Sequence, residues 1–304
     1  MCTLLRGSDQ LYHTTDRTFY MVQCARCGLM RMYPWPTPKE LNHYYPKDYW
    51  FSPEQDPAGK LAEFYRRFVL SDHVRFAWKA IEPVSDKGIV VDIGCGGGLF
   101  LSMLARKGVR VAGLDFSLGA ADIAWRVNGV PAVCGTLSQS PIADGSCAAV
   151  TMFHVLEHLY DPASYIDAAR KMLVPGGRLI VQVPNADCFQ FLVFGERWNG
   201  VDIPRHLIHF RSRDLRALLQ DCGFDVVREK HFSWRDNPAG LATTIATGLD
   251  PMARRIRGVK DSARVTLLKD AAYLGLVALS WPLAIFEAAC RRGSSIMVEA
   301  RKRS

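Results

Sequence analysis

From Ile89 onward, short apolar runs alternate with segments of helical period. "IVVDIG" reads as a strand ending at glycine, and "GLFLSMLARKG" as a helix stopped by Gly108. "VRVAGLD" predicts the next strand. "SLGAADIAWRV" predicts a helix with Ser117 at its N-cap, and "PAVCG" a third strand after the turn signal "NG". "AAVTMF" is a fourth strand. "DPASYIDAARKML" has Asp161 as N-cap and Pro162 in its first turn, and "RLIVQVP" is a fifth strand. Ser212 can cap "RDLRALLQDC", which Gly223 ends, and "FDVV" follows as a sixth strand.

Such alternation predicts an α/β fold, a doubly wound, mostly parallel sheet with helices on both faces. Right-handed crossovers then gather the turn after each strand along one edge, where ligands bind. Upstream, residues 58–82 read as a helix with Leu61, Phe64, Tyr65, Phe68 and Val69 on one face, closed by Pro83. Residues 1–50 are rich in Tyr, Pro and Cys and show little period. The expected organisation is a flap over 1–50, a helical connector over 51–85, a core over 86–232, a helical insertion over 233–290, and a last strand with a basic tail over 291–304.

Composition changes this picture in two places. The formal charge is +8, but from Pro251 onward eleven Lys or Arg face four acids, so +7 of the excess lies there. An anionic surface is the natural partner of such a tail, against the plainer alternative of a solvated surface. Nine cysteines at irregular spacing do not form a disulfide framework, and the N-terminus "MCTLLRGSDQ" is polar too early for a secretion signal. A reducing cytoplasm is the expectation.

The chemistry starts at "DIGCGGG", with Asp92, Gly94, Gly96 and Gly98. Neither reading frame of the glycines gives G-x-G-x-x-G, and no Lys-Ser/Thr follows, so neither a dinucleotide nor a P-loop signature is present. An acid at the strand end suits an ammonium group better than a pyrophosphate. Asp115, ending the next strand, is placed for a ribose diol. An amino acid joined to a nucleoside answers both needs, and S-adenosylmethionine is such a molecule.

"VVDIGCGGGLFLSMLARKGVRVAGLDFS" and "FHVLEHLYDPASYIDAARKMLVPGGRLIVQVPN" resemble the successive motifs of class I S-adenosylmethionine-dependent methyltransferases. The likeness is to the branch with ubiquinone-pathway O-methyltransferases and certain sugar methyltransferases, over about residues 86–230. It implies a seven-stranded sheet, with "SSIMVEARK" as the last strand. It also implies a cofactor site of Asp92, Gly94, Gly96, Gly98, Asp115, Phe116, Ser117, Thr136, Leu137, Phe153 and His154. Thr136 departs from the acidic residue common there, as does Cys147-Ala148 from "FD". The implied reaction is a direct displacement onto a small-molecule acceptor, which needs alignment and proton removal but no metal.

"MFHVLEHLY" contains H-x-x-E-H (His154, Glu157, His158), which some zinc peptidases carry on a helix. Zinc hydrolysis is therefore an alternative reading. Here the string follows a strand and is broken by Asp161-Pro162, so the expectation is that His158 rims the transfer pocket. A second cluster, "RWNGVDIPRHLIHFRS", holds Trp198, Asp202, Arg205, His206 and His209. The resemblance makes His206 the first choice as base, with Arg205 holding an acidic acceptor or the cofactor carboxylate. A non-catalytic cofactor-binding or membrane-docked module is a further alternative. No Asn-Pro-Pro-Tyr-type motif points to nucleic acid, so no nucleic-acid partner is expected.

"MVQCARCGLM" holds Cys24-x-x-Cys27, half of a zinc knuckle, with Cys2 as the upstream candidate in place of a second pair. Zinc at Cys2, Cys24 and Cys27 competes with a metal-free flap whose aromatics (Tyr33, Trp35, Tyr44, Tyr45, Trp50) roof the acceptor site. Finally, "AAYLGLVALSWPLAIF", residues 271–286, carries no charge. It can be a buried or homodimer-forming helix, or lie on an anionic membrane with the 250–304 basic residues, at the inner face of the cell membrane. At sixteen residues with Pro282, it is short for a span.

Overall fold

A computed structural model describes residues 1–45 and 57–303. The strands are β1 (Cys2–Gly7), β2 (Phe19–Gln23), β3 (Met30–Tyr33), β4 (Ile89–Ile93), β5 (Val111–Asp115), β6 (Ala132–Cys134), β7 (Cys147–Phe153), β8 (Leu173–Pro184), β9 (Ile208–His209), β10 (Phe224–Lys230) and β11 (Ser295–Lys302). The helices are α1 (Pro38–His43), α2 (Pro57–Ile81), α3 (Leu99–Ala105), α4 (Leu118–Arg126), α5 (Pro162–Met172), α6 (Phe189–Phe194), α7 (Ser212–Asp221), α8 (Asp236–Ile245), α9 (Pro251–Ile256) and α10 (Ala263–Ala289).

The central sheet has seven strands in the order β10-β11-β8-β7-β4-β5-β6. All neighbours from β8 to β6 run parallel, and β11 is antiparallel to both β8 and β10. Alternate residues feed two cores. Val90, Ala149, Ile180 and Met297 pack on one face, and Val91, Val150, Val181 and Val298 on the other. Burial on both faces is why these strands read as continuous apolar runs. The chain moves from β4 outward to β5 and β6, then returns to β7 and β8 on the other side. That reversal leaves a crevice at the carboxyl ends beside β4.

Local signals act where the sequence puts them. The Ser117 hydroxyl accepts the Ala120 N–H, and Asp161 Oδ1 accepts the Ser164 N–H. Gly108 and Gly223, at φ +87° and +83°, let the chain leave α3 and α7. Two expectations need correction. Ser212 does not cap α7. Arg211 occupies that position and exchanges hydrogen bonds with Asp214, while the Ser212 hydroxyl reaches Glu229. On α2, Phe64, Tyr65 and Phe68 are exposed, Val69 alone of the described residues on the expected face is buried, and the helix buries His73, Phe76, Ala77 and Ala80 instead. The Leu61 side chain and Trp50 lie outside the described residues.

The first three strands form a separate antiparallel sheet, and β9 adds a fourth strand to it. Met30 pairs with His209 and Arg31 with Ile208. The "PRHLIH" segment therefore belongs to the flap's sheet and also braces the turn behind the crevice wall, since the Leu207 N–H donates to the Glu157 carbonyl. α8, α9 and α10 occupy the stretch between β10 and β11.

Candidate active site

The crevice has a volume of about 880 Å³, within the range of small-molecule sites. Its floor is the loop after β4. Gly94, Gly96 and Gly98 all have positive φ, so the loop turns where side-chain-bearing residues would be strained. A methyl on Gly98 would meet Ala124 Cβ at 2.9 Å, which shows how closely the loop packs on α4. At Gly96 nothing lies within 4 Å of such a methyl, and the backbone opens onto the crevice.

Two acids flank this loop. Asp92 is buried, and the Thr151 hydroxyl donates to its Oδ1 at 2.6 Å. Burial, then the nearby Asp115, raises its carboxyl to about 7. A buried acid in this state gains most from a cationic ligand, which would restore its charge. Asp115 accepts the Gly96 N–H at Oδ2 and the Ser117 N–H at Oδ1, both at 2.9 Å. Each oxygen keeps a lone pair that a diol can use. Its carboxyl is raised by burial, against those two N–H donors. Phe116, Thr136, Leu137, Phe153 and His154 also line the crevice. Ser117 does not; it caps α4 and fixes Asp115 through its N–H. These residues fit a positively charged amino-acid nucleoside.

The opposite wall is a histidine cluster. His154 has φ +56°, and its Nδ1 lies 3.1 Å from Glu157 Oε1. Burial pushes His154 down, but Asp236 and Glu157 outweigh it and raise it to about 9. Asp236, which the sequence reading did not single out, also accepts from Gln182 and Ser233. His158 Nδ1 lies 2.9 Å from the Tyr45 hydroxyl and 3.1 Å from the Arg205 carbonyl oxygen. A carbonyl only accepts, so we place the proton on Nδ1, which leaves Nε2 with its lone pair. Burial and the neighbouring His206 lower His158 to about 4, so it is neutral at pH 7.

Three expectations change. Arg205 does not face the crevice. It is 0% exposed, bound to Asp9 and Asp202, and stacked on Tyr12 at 4.5 Å. It joins the flap to the core rather than binding an acceptor. His206 does not line the crevice either. It stands behind His158, ring centroids 4.7 Å apart, with its Nδ1 on the Gly200 carbonyl at 2.9 Å. The H-x-x-E-H string is not a peptidase helix. His154 ends β7 in a left-handed conformation, and His158 closes a single 3-10 turn, Leu156–His158. The two imidazoles therefore do not project from successive helical turns, and the peptidase arrangement expected of this string is not formed. Glu157, His158 and His206 do bring one ligand atom each within 4.8 Å of one another, an arrangement that Cys2, Cys24 and Cys27 do not form among the described residues. The Cys27 N–H beside it lowers the Cys24 thiol to about 7.

Of the flap aromatics, Tyr45 lines the crevice. Tyr44 is buried, Tyr33 is exposed, and Trp35 packs on Tyr160. Glu63, Arg66, Arg67 and Leu70 from α2, with Arg235 and Met252, complete the mouth. No sequence pattern marked those six, because they reach the site only through tertiary packing.

A seven-stranded α/β sheet with a glycine loop between two acids defines a Rossmann-like nucleoside-binding protein. A family model described as a methyltransferase domain matches residues 61–229, more than half of the chain, which therefore belongs to the class I S-adenosylmethionine-dependent methyltransferases. It is 33% identical over 141 residues to a Mycolicibacterium smegmatis protein named "Probable S-adenosylmethionine-dependent methyltransferase", covering 45% of this chain and 52% of the relative. It is 30% identical over 149 residues to a Pseudomonas paraeruginosa ubiquinone biosynthesis O-methyltransferase, covering 45% and 64%. The chain thus spans between half and two thirds of the length of these relatives. An Archaeoglobus fulgidus SAM-dependent methyltransferase shares the fold, with TM-score 0.50 at 17% identity over 81% of this chain and 100% of that one.

Proposed function

We propose that the chain transfers a methyl group from S-adenosylmethionine to an oxygen of a small hydroxyl-bearing acceptor: a sugar, a quinone-like molecule or a lipid-linked intermediate. The observation that carries this is His158, a neutral imidazole on the crevice wall with its Nδ1 tied to the Arg205 carbonyl. A hydroxyl must lose its proton as the new C–O bond forms and the C–S bond breaks, and Nε2 can take it.

When bound, the cofactor supplies an electrophilic methyl carbon on a positively charged sulfur. Asp92 would balance its charge, Asp115 would hold the diol, and Gly96 would leave room for close approach. Tyr45 and the Arg205 carbonyl fix the plane of His158, while burial, helped by His206, keeps it from becoming cationic before the proton arrives. The names of the O-methyltransferase relatives support oxygen as the acceptor atom.

The test is release of S-adenosylhomocysteine with a panel of catechols, sugars and amines. Turnover with hydroxyl acceptors, lost in His158→Gln while cofactor still binds, is expected. Turnover with amines alone, or full activity in His158→Gln, sinks the reading.

A further inference from the structure

From Ala271 on, α10 is apolar nearly all round rather than amphipathic, and the few polar side chains it carries include two that face inward. Its buried stripe includes Ser280 and Glu287, the latter receiving a hydrogen bond from Gln190. Its outward face instead carries Leu268, Leu274, Leu279, Leu283, Ile285 and Phe286, with Leu279 78% exposed. From Ala271 to Cys290 that face holds no charge, because Glu287, the stretch's one charged residue, points inward. The helix is long and apolar enough to cross a membrane, and only 22% of its apolar window is buried, so it is not a core helix. Water alone does not explain a continuous apolar surface of this kind.

Three occupants are conceivable, and the charges choose between them. Exposed Lys260 and Arg264 stand at the start of α10, and exposed Arg291 just after its end. A second copy pairing through this face, parallel or antiparallel, would set cations against cations. Crossing a bilayer is blocked by the anchors. Arg254 pairs with Asp270 at one end, and Glu287 and β11 tie the other end into the same domain. About 40 Å separates the ends of a 27-residue helix. A span would put the two halves of one domain on opposite sides. An apolar helix face with cations at both ends matches the surface of an anionic bilayer.

A second feature points the same way. Phe68 on α2, Trp234 and Trp281 on α10 form a chain of ring contacts at 5.3 and 6.1 Å. The two tryptophans of this chain have the amphipathic rings that gather at the membrane–water boundary. This chain leads from the apolar face to the part of α2 that borders the crevice, where Arg67 and Leu70 lie.

We propose that the outward face of α10 docks on an anionic lipid surface, lying in its plane, with the crevice mouth beside the bilayer. The inference does not depend on the methyl-transfer reading, because vesicle binding and cofactor titration are separate measurements. The full chain is floated with phosphatidylcholine vesicles carrying roughly 30 mol% phosphatidylglycerol, and with phosphatidylcholine alone. Binding to the anionic vesicles, weakened by salt and several-fold less to neutral ones, is expected. Leu279→Glu with Phe286→Glu should lower it at least about tenfold, with at most a small drop in melting temperature, since Leu279 faces outward and Phe286, largely exposed, loses only its stacking on Phe189. Lys260→Glu with Arg264→Glu should lower binding to the anionic vesicles alone. The proposal is overturned if the native chain ignores both vesicles, binds both equally, or binds undiminished after the Leu279 and Phe286 changes. It is overturned equally if sedimentation shows a dimer that those changes dissociate.

Discussion

Arg205 grips Asp9 through two hydrogen bonds, Nη2 to Oδ1 at 2.8 Å and Nη1 to Oδ2 at 3.0 Å, across nearly two hundred residues of chain. Burial would lift the Asp9 carboxyl, but the guanidinium outweighs it and holds it at about 2. Removing one partner of such a pair strands the other charge, at a cost of about 3–5 kcal/mol. Here Asp202 still faces Arg205 at 2.6 Å, so Asp9→Ala should cost nearer 3 kcal/mol. The backbone of Arg205 also orients His158, so kcat should fall with stability. The folded carboxyl is depressed, so the pair's contribution is full above the unfolded value of 3.8 and is lost as pH falls toward 2. Urea melts of Asp9→Ala and the native chain between pH 7 and 2 should converge at the acid end. A constant gap would remove the ion pair from the explanation.

Asp92 has the opposite sign. Its folded carboxyl titrates near 7 against an ordinary 3.8, so the unliganded protein binds the extra proton between those values and loses stability as pH rises through them. Asp92→Asn should therefore melt higher than the native chain above pH 7, yet bind cofactor more weakly. A cationic ligand prefers the ionised acid, so native affinity should rise as pH climbs through 7 and level off above it. Calorimetric titration from pH 5.5 to 8.5 checks this, and an affinity flat across that range would show that Asp92 does not face the positive charge.

The glycines separate packing from binding. At Gly96, φ +51° costs an alanine on the order of 1–2 kcal/mol, but its methyl would enter open space. At Gly98, φ +74° adds similar strain to a 2.9 Å approach to Ala124. Gly96→Ala should fold with a modest drop in melting temperature and lose cofactor affinity by about tenfold or more. Gly98→Ala should lose more stability than Gly96→Ala. Thermal melts with and without cofactor distinguish the two. Equal melting and binding losses would mean that Gly96 is there for the turn alone.

What was legible in the sequence was local. Ser117, Asp161, Gly108 and Gly223 mark helix ends through atoms within a few residues, and two-sided burial makes β4, β7 and the second half of β8 mostly apolar. What was not legible depends on partners far along the chain. β9 is two residues long and exists because Arg31 pairs with Ile208. Arg205 beside two histidines reads as a site residue until Asp9 arrives from the other end. On α10, sequence alone could not say which stripe faces inward, because Ser280 and Glu287 would ordinarily mark the wet side.

His158 and His206 make a pair whose roles can be divided by experiment. His158 lines the crevice and is held at Nδ1 by the Arg205 carbonyl and Tyr45, while His206 stands behind it and sits on the Gly200 carbonyl. Removing the proton acceptor should lower kcat by about 10² or more with little change in cofactor affinity, and His158→Gln should do so at every pH. Tyr45→Phe removes one of two orienting contacts and should cost less. His206→Gln should cost less still, but it removes a neighbour that keeps His158 low. With His206 gone, His158 should titrate upward from about 4, and the acid limb of kcat at saturating cofactor should move up with it. In the native chain that limb should lie well below the transition expected for Asp92 in cofactor binding. A His206→Gln loss as deep as that of His158→Gln, with no shift of the acid limb, would reverse the assignment and make His206 the residue that takes the proton.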